Sequence, residues 1–125
     1  MRLSTVNVGS LLYLYICSMK TSDFDNLIST ESLVLIDFYA TWCGACGAID
    51  DALDRVALTM GDAVTLVRID TTTRSSFDLV RRYNVVALPT LMLFSRGRVL
   101  WRECGLITFE RLAGIVRRFH SAQLF

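Results

Sequence analysis

The 125-residue chain lacks what several functional classes require. It has no excess charge, because 13 basic residues face 12 acidic ones, and a net charge of +1 predicts no nucleic-acid partner. It has one histidine and four cysteines, of which only Cys43 and Cys46 stand close together. A four-thiolate zinc site needs a second close pair, so we expect no bound metal. A chain of this length forms a sufficient core without disulfide staples.

The sequence also lacks an apolar run long enough to cross a bilayer. The run at 11–17 is far too short, so we expect no membrane span. It resembles the core of a signal peptide, but its basic start is thin and no small-x-small cleavage site follows. Bulky Ile16 argues against lipidation of Cys17, and Met19 offers a second possible start. We therefore expect an N-terminal extension at 1–20, either a leader or an additional segment, and one domain at 21–125.

Apolar residues make up 53% of the chain and charged residues 20%, which is typical of a globular protein. Arginines gather late in the sequence, and we interpret them as the solvated face of a hairpin and a last helix. These are Arg96, Arg98, Arg102, Arg111, Arg117 and Arg118.

Hydrophobic periodicity predicts alternating helices and strands. The helix at 75–83 is expected to be capped by Ser75 or Ser76 and to pack through Phe77, Val80 and Tyr83. An earlier helix is expected to be capped by Ser22 and Asp23. The predicted helices are 22–30, 45–60, 75–83 and one from Thr108, and the predicted strands are 33–40, 64–69, 90–95 and 98–104. This order predicts an α/β fold with a central mixed sheet, parallel strands plus a C-terminal antiparallel hairpin, flanked by helices.

On this map the pair Cys43 and Cys46 falls where a buried strand ends and a helix begins. Cysteines with two residues between them can close a disulfide across the first helical turn. Unpaired N–H groups there stabilise a thiolate, which is the nucleophilic form. We therefore expect Cys43 to attack and Cys46, one turn further in, to resolve. Gly44 leaves room for the backbone of a partner.

The segment Trp42-Cys43-Gly44-Ala45-Cys46 closely resembles the active-site motif of the thioredoxin family, which has proline where this chain has Ala45. The resemblance runs from about residue 22 to 119 and implies a thioredoxin fold. Gly97 and Gly105 match the family's hairpin glycine and the glycine of the loop that follows. Asp37 matches the buried aspartate implicated in proton transfer with the resolving cysteine.

Pro89, the only proline, matches the family's cis-proline that faces the redox pair. The resemblance implies that it exposes the backbone at Leu88 to a bound peptide and keeps metal away from the thiols. Trp42 is expected to form an apolar rim for partner proteins. The expected substrate-contacting residues are Trp42, Gly44, Ala45, Leu88 and Pro89.

The residues themselves support a role for Asp37. It lies within a run that is otherwise apolar from Leu33 to Ala40. Desolvation should raise the pKa of this carboxyl, which suits it to exchange a proton near neutral pH. Cys104 is expected to pack beside the last strand and not to react.

Four residues depart from the family pattern. Ala45 replaces proline within the motif, and the residues between the cysteines tune the reduction potential. Gly47 replaces a lysine, Asp51 replaces a proline that kinks the helix, and Leu66 replaces a lysine that accompanies the buried aspartate. With fewer cations near the site, we expect a thiolate at Cys43 to be less favourable than in a typical member.

The resemblance implies a protein-disulfide reductase that needs no cofactor. Its expected partners are disulfide-containing proteins and a thioredoxin reductase or equivalent that recycles it, and we expect a monomer in the cytoplasm. An exported, periplasmic oxidase or isomerase is the alternative if residues 1–20 are a signal peptide. A third hypothesis is a non-catalytic binding module that uses the Trp42 rim.

Overall fold

A computed structural model describes residues 2–8, 11–18, 21–30 and 32–123, with side chains from residue 21 onward. Six strands and five helices follow one another along these ranges. The strands are β1 (Arg2–Val8), β2 (Leu11–Ser18), β3 (Leu33–Tyr39), β4 (Val64–Asp70), β5 (Thr90–Ser95) and β6 (Arg98–Cys104). The helices are α1 (Thr21–Ile28), α2 (Gly44–Ala48), α3 (Asp50–Met60), α4 (Phe77–Arg82) and α5 (Phe109–Gln123).

The strands form one mixed sheet in the order β1-β2-β4-β3-β5-β6. The strand β3 is parallel to β4 and antiparallel to β5, and β5 and β6 form an antiparallel hairpin. This hairpin turns at Arg96 and Gly97, which both have positive φ angles, so glycine suits the second position. The predicted α/β fold, with its C-terminal hairpin and flanking helices, is confirmed.

The two N-terminal strands extend the sheet beyond β4. β2 is parallel to β4, and β1 is antiparallel to β2. They occupy the segment for which the sequence predicts an extension, and a domain boundary at residue 21 stays a prediction. The alternative start at Met19 lies outside the described residues. No helix within the described ranges is long and apolar enough to cross a membrane.

Two apolar layers cover the faces of the sheet, because successive side chains of a strand point to opposite sides. Helices α3 and α5 pack on one face, where Leu35 of β3 meets Leu53 and Leu112. Helices α1 and α4 pack on the other, where Ile36 lies in the same cluster as Phe24 and Leu79. Asp37 follows Leu35 by two residues, so it points toward the layer of α3 and α5.

The predicted helix over 45–60 is divided at Ile49 into α2 and α3. Ile49 has φ −95° and ψ −1°, and its side chain is fully buried in the core. The division exists although Asp51 stands where the family has a kinking proline.

Around α4 and α1 the structure corrects the predicted caps and contacts. Ser76 stands at the predicted N-cap position of α4, but it also ends a 3₁₀ turn (Arg74–Ser76) and donates its hydroxyl back to the carbonyl of Thr73, so its side chain makes no capping hydrogen bond. Phe77 is exposed, whereas Leu79, which the prediction left out, is fully buried. Helix α1 begins at Thr21, which places Asp23 within its first turn instead of before it.

Candidate active site

The cysteine pair lies directly beyond the end of β3. A turn closes when the Cys43 N–H donates to the carbonyl of Ala40 at 3.2 Å. Cys43 is the N-cap of α2, and its Sγ accepts a hydrogen bond from the Cys46 N–H at 3.1 Å. The two Cα atoms are 5.3 Å apart, within the usual range for a disulfide, and the two sulfurs are bonded. The pair can therefore cycle between dithiol and disulfide without a large backbone movement.

The two cysteines differ in their access to solvent. Cys43 is half-buried, whereas Cys46 is 2% exposed. Next to them Trp42 is 74% exposed, and Gly44 is exposed as well. An incoming protein can thus reach the first sulfur but not the second.

The loop before β5 lies at the same end of the sheet. Thr90 is paired with Phe38 near the end of β3, so Pro89 comes at the edge where β3 leads to the cysteines. The Leu88–Pro89 peptide bond is cis, as the resemblance implies. Pro89 accepts a hydrogen bond from the Gly105 N–H at 3.0 Å, and the Thr90 hydroxyl donates to Ala87 at 2.6 Å. The first bond joins the loop to the segment that follows β6, and the second joins the loop to the start of β5.

Asp37 is fully buried below this edge. Its Oδ2 accepts a hydrogen bond from Nε of Arg68 at 2.9 Å, while its Oδ1 has no hydrogen-bond partner within the described ranges. Burial raises the pKa of this carboxyl to about 6, against the lowering effect of the Arg68 guanidinium. A carboxyl in this state can take up or release a proton close to neutral pH.

Comparison with known proteins agrees with this geometry. The family model for thioredoxin matches residues 15–118. The chain belongs to the thioredoxin family. It is 36% identical over 105 residues to a chloroplastic thioredoxin Y of Oryza sativa subsp. japonica, which covers 83% of this chain and 61% of that protein. The chain spans 50 to 61% of the length of the chloroplastic plant relatives it matches.

Two further comparisons extend this result. A bifunctional thioredoxin reductase/thioredoxin of Mycobacterium leprae is 33% identical over 84 residues, which are 67% of this chain and 18% of that protein. The solved structure of a Malassezia sympodialis thioredoxin is 25% identical and has a TM-score of 0.75. That alignment covers 92% of this chain and 95% of the other. The thioredoxin fold that the sequence predicts is confirmed.

The departure predicted at Leu66 does not leave Asp37 without a cation. Leu66 is paired with Leu35 and lies in the apolar core. Arg68 stands two residues further along β4, where the parallel register of β3 and β4 sets it directly beside Asp37. The site therefore keeps a cation, and the expectation of a less favourable thiolate loses one of its reasons.

Sequence reasoning missed both Arg68 and its second partner, Asp50. The Nη2 of Arg68 donates to Oδ1 of Asp50 at 2.6 Å, and the guanidinium carbon lies 4.7 Å from the centre of the Tyr39 ring. A signal was present, since Arg68 is the single basic residue in a strand that is otherwise read as apolar. A buried arginine requires an anion, and Asp37 is the buried anion of the neighbouring strand.

The expectation for Cys104 is also corrected. It is exposed, at the last position of the edge strand β6, although it was expected to pack beside that strand. Its Sγ lies 3.3 Å from the Thr90 hydroxyl, at the same end of the sheet as the redox pair. An edge strand has no further strand to cover its outer side, which leaves this thiol open to solvent. Within the described side chains, no three His, Cys, Asp or Glu residues cluster as metal ligands.

Proposed function

We propose that this protein reduces disulfide bonds in other proteins through a dithiol–disulfide cycle of Cys43 and Cys46. The observation that carries this proposal is the arrangement of the pair. One sulfur is accessible at the start of a helix, and the second is buried within bonding distance of it. Relatives named thioredoxin support the same chemistry for this chain.

The cycle begins with the reduced pair. The Cys46 N–H, which donates to Cys43 Sγ, favours the thiolate form of Cys43. This thiolate attacks one sulfur of the substrate disulfide, a mixed disulfide forms, and the other substrate sulfur leaves and takes up a proton. Cys46 then passes its proton to Asp37 and attacks Cys43 Sγ, which breaks the bond between Cys43 and the substrate. The second substrate sulfur leaves as a thiolate and takes up a proton from water, and Asp37 returns its own proton to water. The substrate departs as a dithiol, and the Cys43–Cys46 disulfide seen in the structure is the oxidised product.

The surface around the pair is suited to a protein substrate. Three large apolar side chains are exposed in the loops at this end: Trp42 at 74%, Val86 at 82% and Leu106 at 69%. A Cβ added at Gly44 would meet no heavy atom within 4 Å, so glycine is not needed there for internal packing and keeps the backbone open to a partner. We propose that Trp42, Gly44, Ala45, Leu88 and Pro89 contact the substrate, with the backbone at Leu88 pairing with an extended peptide.

The cycle needs an electron donor for the disulfide form. A reductase and a thioredoxin are named as one bifunctional protein in Mycobacterium leprae. We propose that a comparable reductase supplies two electrons to Cys43 and Cys46. Net reduction also requires a reducing compartment, for which we propose the cytoplasm, with export as the alternative that the apolar run at 11–17 leaves open.

Insulin reduction in the presence of dithiothreitol tests the function. The wild type should accelerate precipitation of the insulin B chain, and Cys43→Ser should fall to the background rate of dithiothreitol alone. Cys104→Ser is the matched control, because it removes an exposed cysteine at the same end of the sheet and should keep full activity. Cys46→Ser should retain Cys43 and accumulate mixed disulfides with substrates. Activity that survives Cys43→Ser would overturn the proposal.

A further inference from the structure

A chain of three charged side chains links the buried carboxyl to the surface of α3. Arg68 stands in the middle, with Nε at 2.9 Å from Asp37 and Nη2 at 2.6 Å from Asp50. The Arg68 side chain is 10% exposed and that of Asp50 is 42% exposed. The guanidinium is planar and rigid, so holding one edge also fixes the direction of the other edge.

We propose that Asp50 is a positioning residue for Asp37. By holding the outer edge of the Arg68 guanidinium, it restricts contact with Asp37 to Oδ2 and leaves Oδ1 to exchange the proton of Cys46. This inference rests on the proposed function, in which Asp37 performs that exchange.

The geometry supports this role in two ways. An arginine facing a lone carboxylate commonly binds both oxygens with two parallel N–H groups. Here only Oδ2 of Asp37 is bonded to Arg68, and Oδ1 is buried without a partner among the residues the structure describes. The Nη2 that would complete a two-oxygen contact points instead to Asp50, while the ring of Tyr39 lies against the guanidinium.

Asp50 also acts on Asp37 through its charge. The charged groups that act on Asp37 are Arg68 from β4, which lowers its pKa, and Asp50 from α3, which raises it. On the other side β5 sets the apolar Leu91 opposite Asp37, and α2 contributes Cys46, which does not titrate in the disulfide. Removing the charge of Asp50 should thus lower the pKa of Asp37 and make it a weaker base.

The test is a carbon-13 NMR titration of the Asp37 carboxyl in the oxidised protein, where Cys46 does not titrate. Asp50→Ala removes both the oxygen that accepts from Arg68 and the charge, so that Nη2 is free to bond Oδ1 of Asp37, and it should lower the midpoint by about 0.5 to 1 pH unit. Asp51→Ala is the matched control. It removes the same charge one residue away, has no ion pair or hydrogen bond in the described part of the chain, and should shift the midpoint by less than about 0.2 unit.

Two outcomes would overturn the inference. One is an equal shift of the midpoint in Asp50→Ala and Asp51→Ala, which would show that only the net charge of the protein matters. The other is a failure of Asp50→Glu, which retains the carboxylate, to restore the midpoint toward that of the wild type. Insulin reduction against pH, measured on the same variants, separates this result from the proposed function. If neither the wild type nor any variant reduces insulin at any pH, the proposed function is wrong. The NMR titration would still show whether Asp50 controls the pKa of Asp37.

Discussion

The neighbouring strands β3 and β5 are both buried along nearly their whole length, yet they differ in where their polar side chains lie and in whether these are fully hydrogen-bonded. In β5 the polar residues stand at the two ends, and Thr90 at the first end donates its hydroxyl to the carbonyl of Ala87. In β3 a carboxyl stands inside the strand, and one of its oxygens has no partner in the described structure. The two strands touch along five paired positions, including Asp37 beside Leu91.

We interpret this difference as one of role, and we call β5 the structural strand and β3, which carries the proposed proton-exchanging residue Asp37, the functional strand. A buried polar group is stabilising only when its hydrogen bonds are complete, as at Thr90. Asp37 is desolvated with an incomplete set of partners, which costs stability and raises the pKa of the carboxyl. Such an arrangement suits a residue that exchanges a proton, and we interpret β5 as the support that keeps it rigid.

The largest effect is expected from breaking the structural strand. Phe94 of β5 is fully buried, with ring centroids 5.6 Å from Phe24 and 5.4 Å from Tyr83. Phe94→Ala should lower the free energy of unfolding by roughly 3 to 5 kcal/mol, measured by urea denaturation, because it leaves a cavity among these rings. Val99→Ala changes the half-exposed partner position on β6 and should cost less than about 1 kcal/mol. Equal losses of unfolding free energy in both variants would show that β5 does not contribute more to stability than the edge strand β6.

The functional strand should show a smaller effect that depends on pH. The pKa of Asp37 is raised from 3.8 to about 6 in the folded protein, so the folded state binds its proton more tightly than the unfolded state does. The stability this provides is fully present below pH 3.8 and is lost as the pH rises through 6. Over this range the free energy of unfolding should fall by roughly 3 kcal/mol on account of Asp37.

Asp37→Asn isolates this contribution, because an amide cannot titrate there. The difference in unfolding free energy between pH 4 and pH 7, measured by urea denaturation, should shrink in Asp37→Asn relative to the wild type. Asp51→Asn, which changes the same formal charge on the exposed side of α3, should keep the difference seen in the wild type. If the unfolding free energy of Asp37→Asn depends on pH as that of the wild type does, the ionisation of Asp37 does not reduce the stability of the folded protein.

The features that sequence could predict are local ones. The apolar run from Leu33 to Ala40 is long and rich in branched residues, so a buried strand follows from composition alone. The spacing of Cys43 and Cys46 at the end of that strand indicates the redox pair. A carboxyl inside the run is necessarily desolvated, which is why the raised pKa of Asp37 could be anticipated and is found.

The features that sequence could not predict depend on how elements pair. Asp37 and Arg68 are 31 residues apart, and they meet only because β3 and β4 adopt one particular register. A shift of that register by two residues would set the apolar Leu66 beside Asp37 in place of Arg68. Likewise, Leu79 is buried and Phe77 is exposed in α4, which begins directly after a 3₁₀ turn, and the face that this short helix turns to the core depends on its packing against the sheet.

The smallest effect should come from the completed polar end of β5. Thr90→Val keeps the shape of this fully buried side chain but removes the hydroxyl that bonds to Ala87 at 2.6 Å. Since Ala87 is exposed, its carbonyl can turn to water, and the loss in unfolding free energy should be about 1 kcal/mol. Thr65→Val on β4 is the matched control, because Thr65 has no side-chain hydrogen bond within the described ranges, and urea denaturation should show almost no change. If both substitutions cost the same, the hydroxyl of Thr90 does not hold the loop before β5, and the contrast with Asp37 would lie in charge alone and not in completed hydrogen bonding.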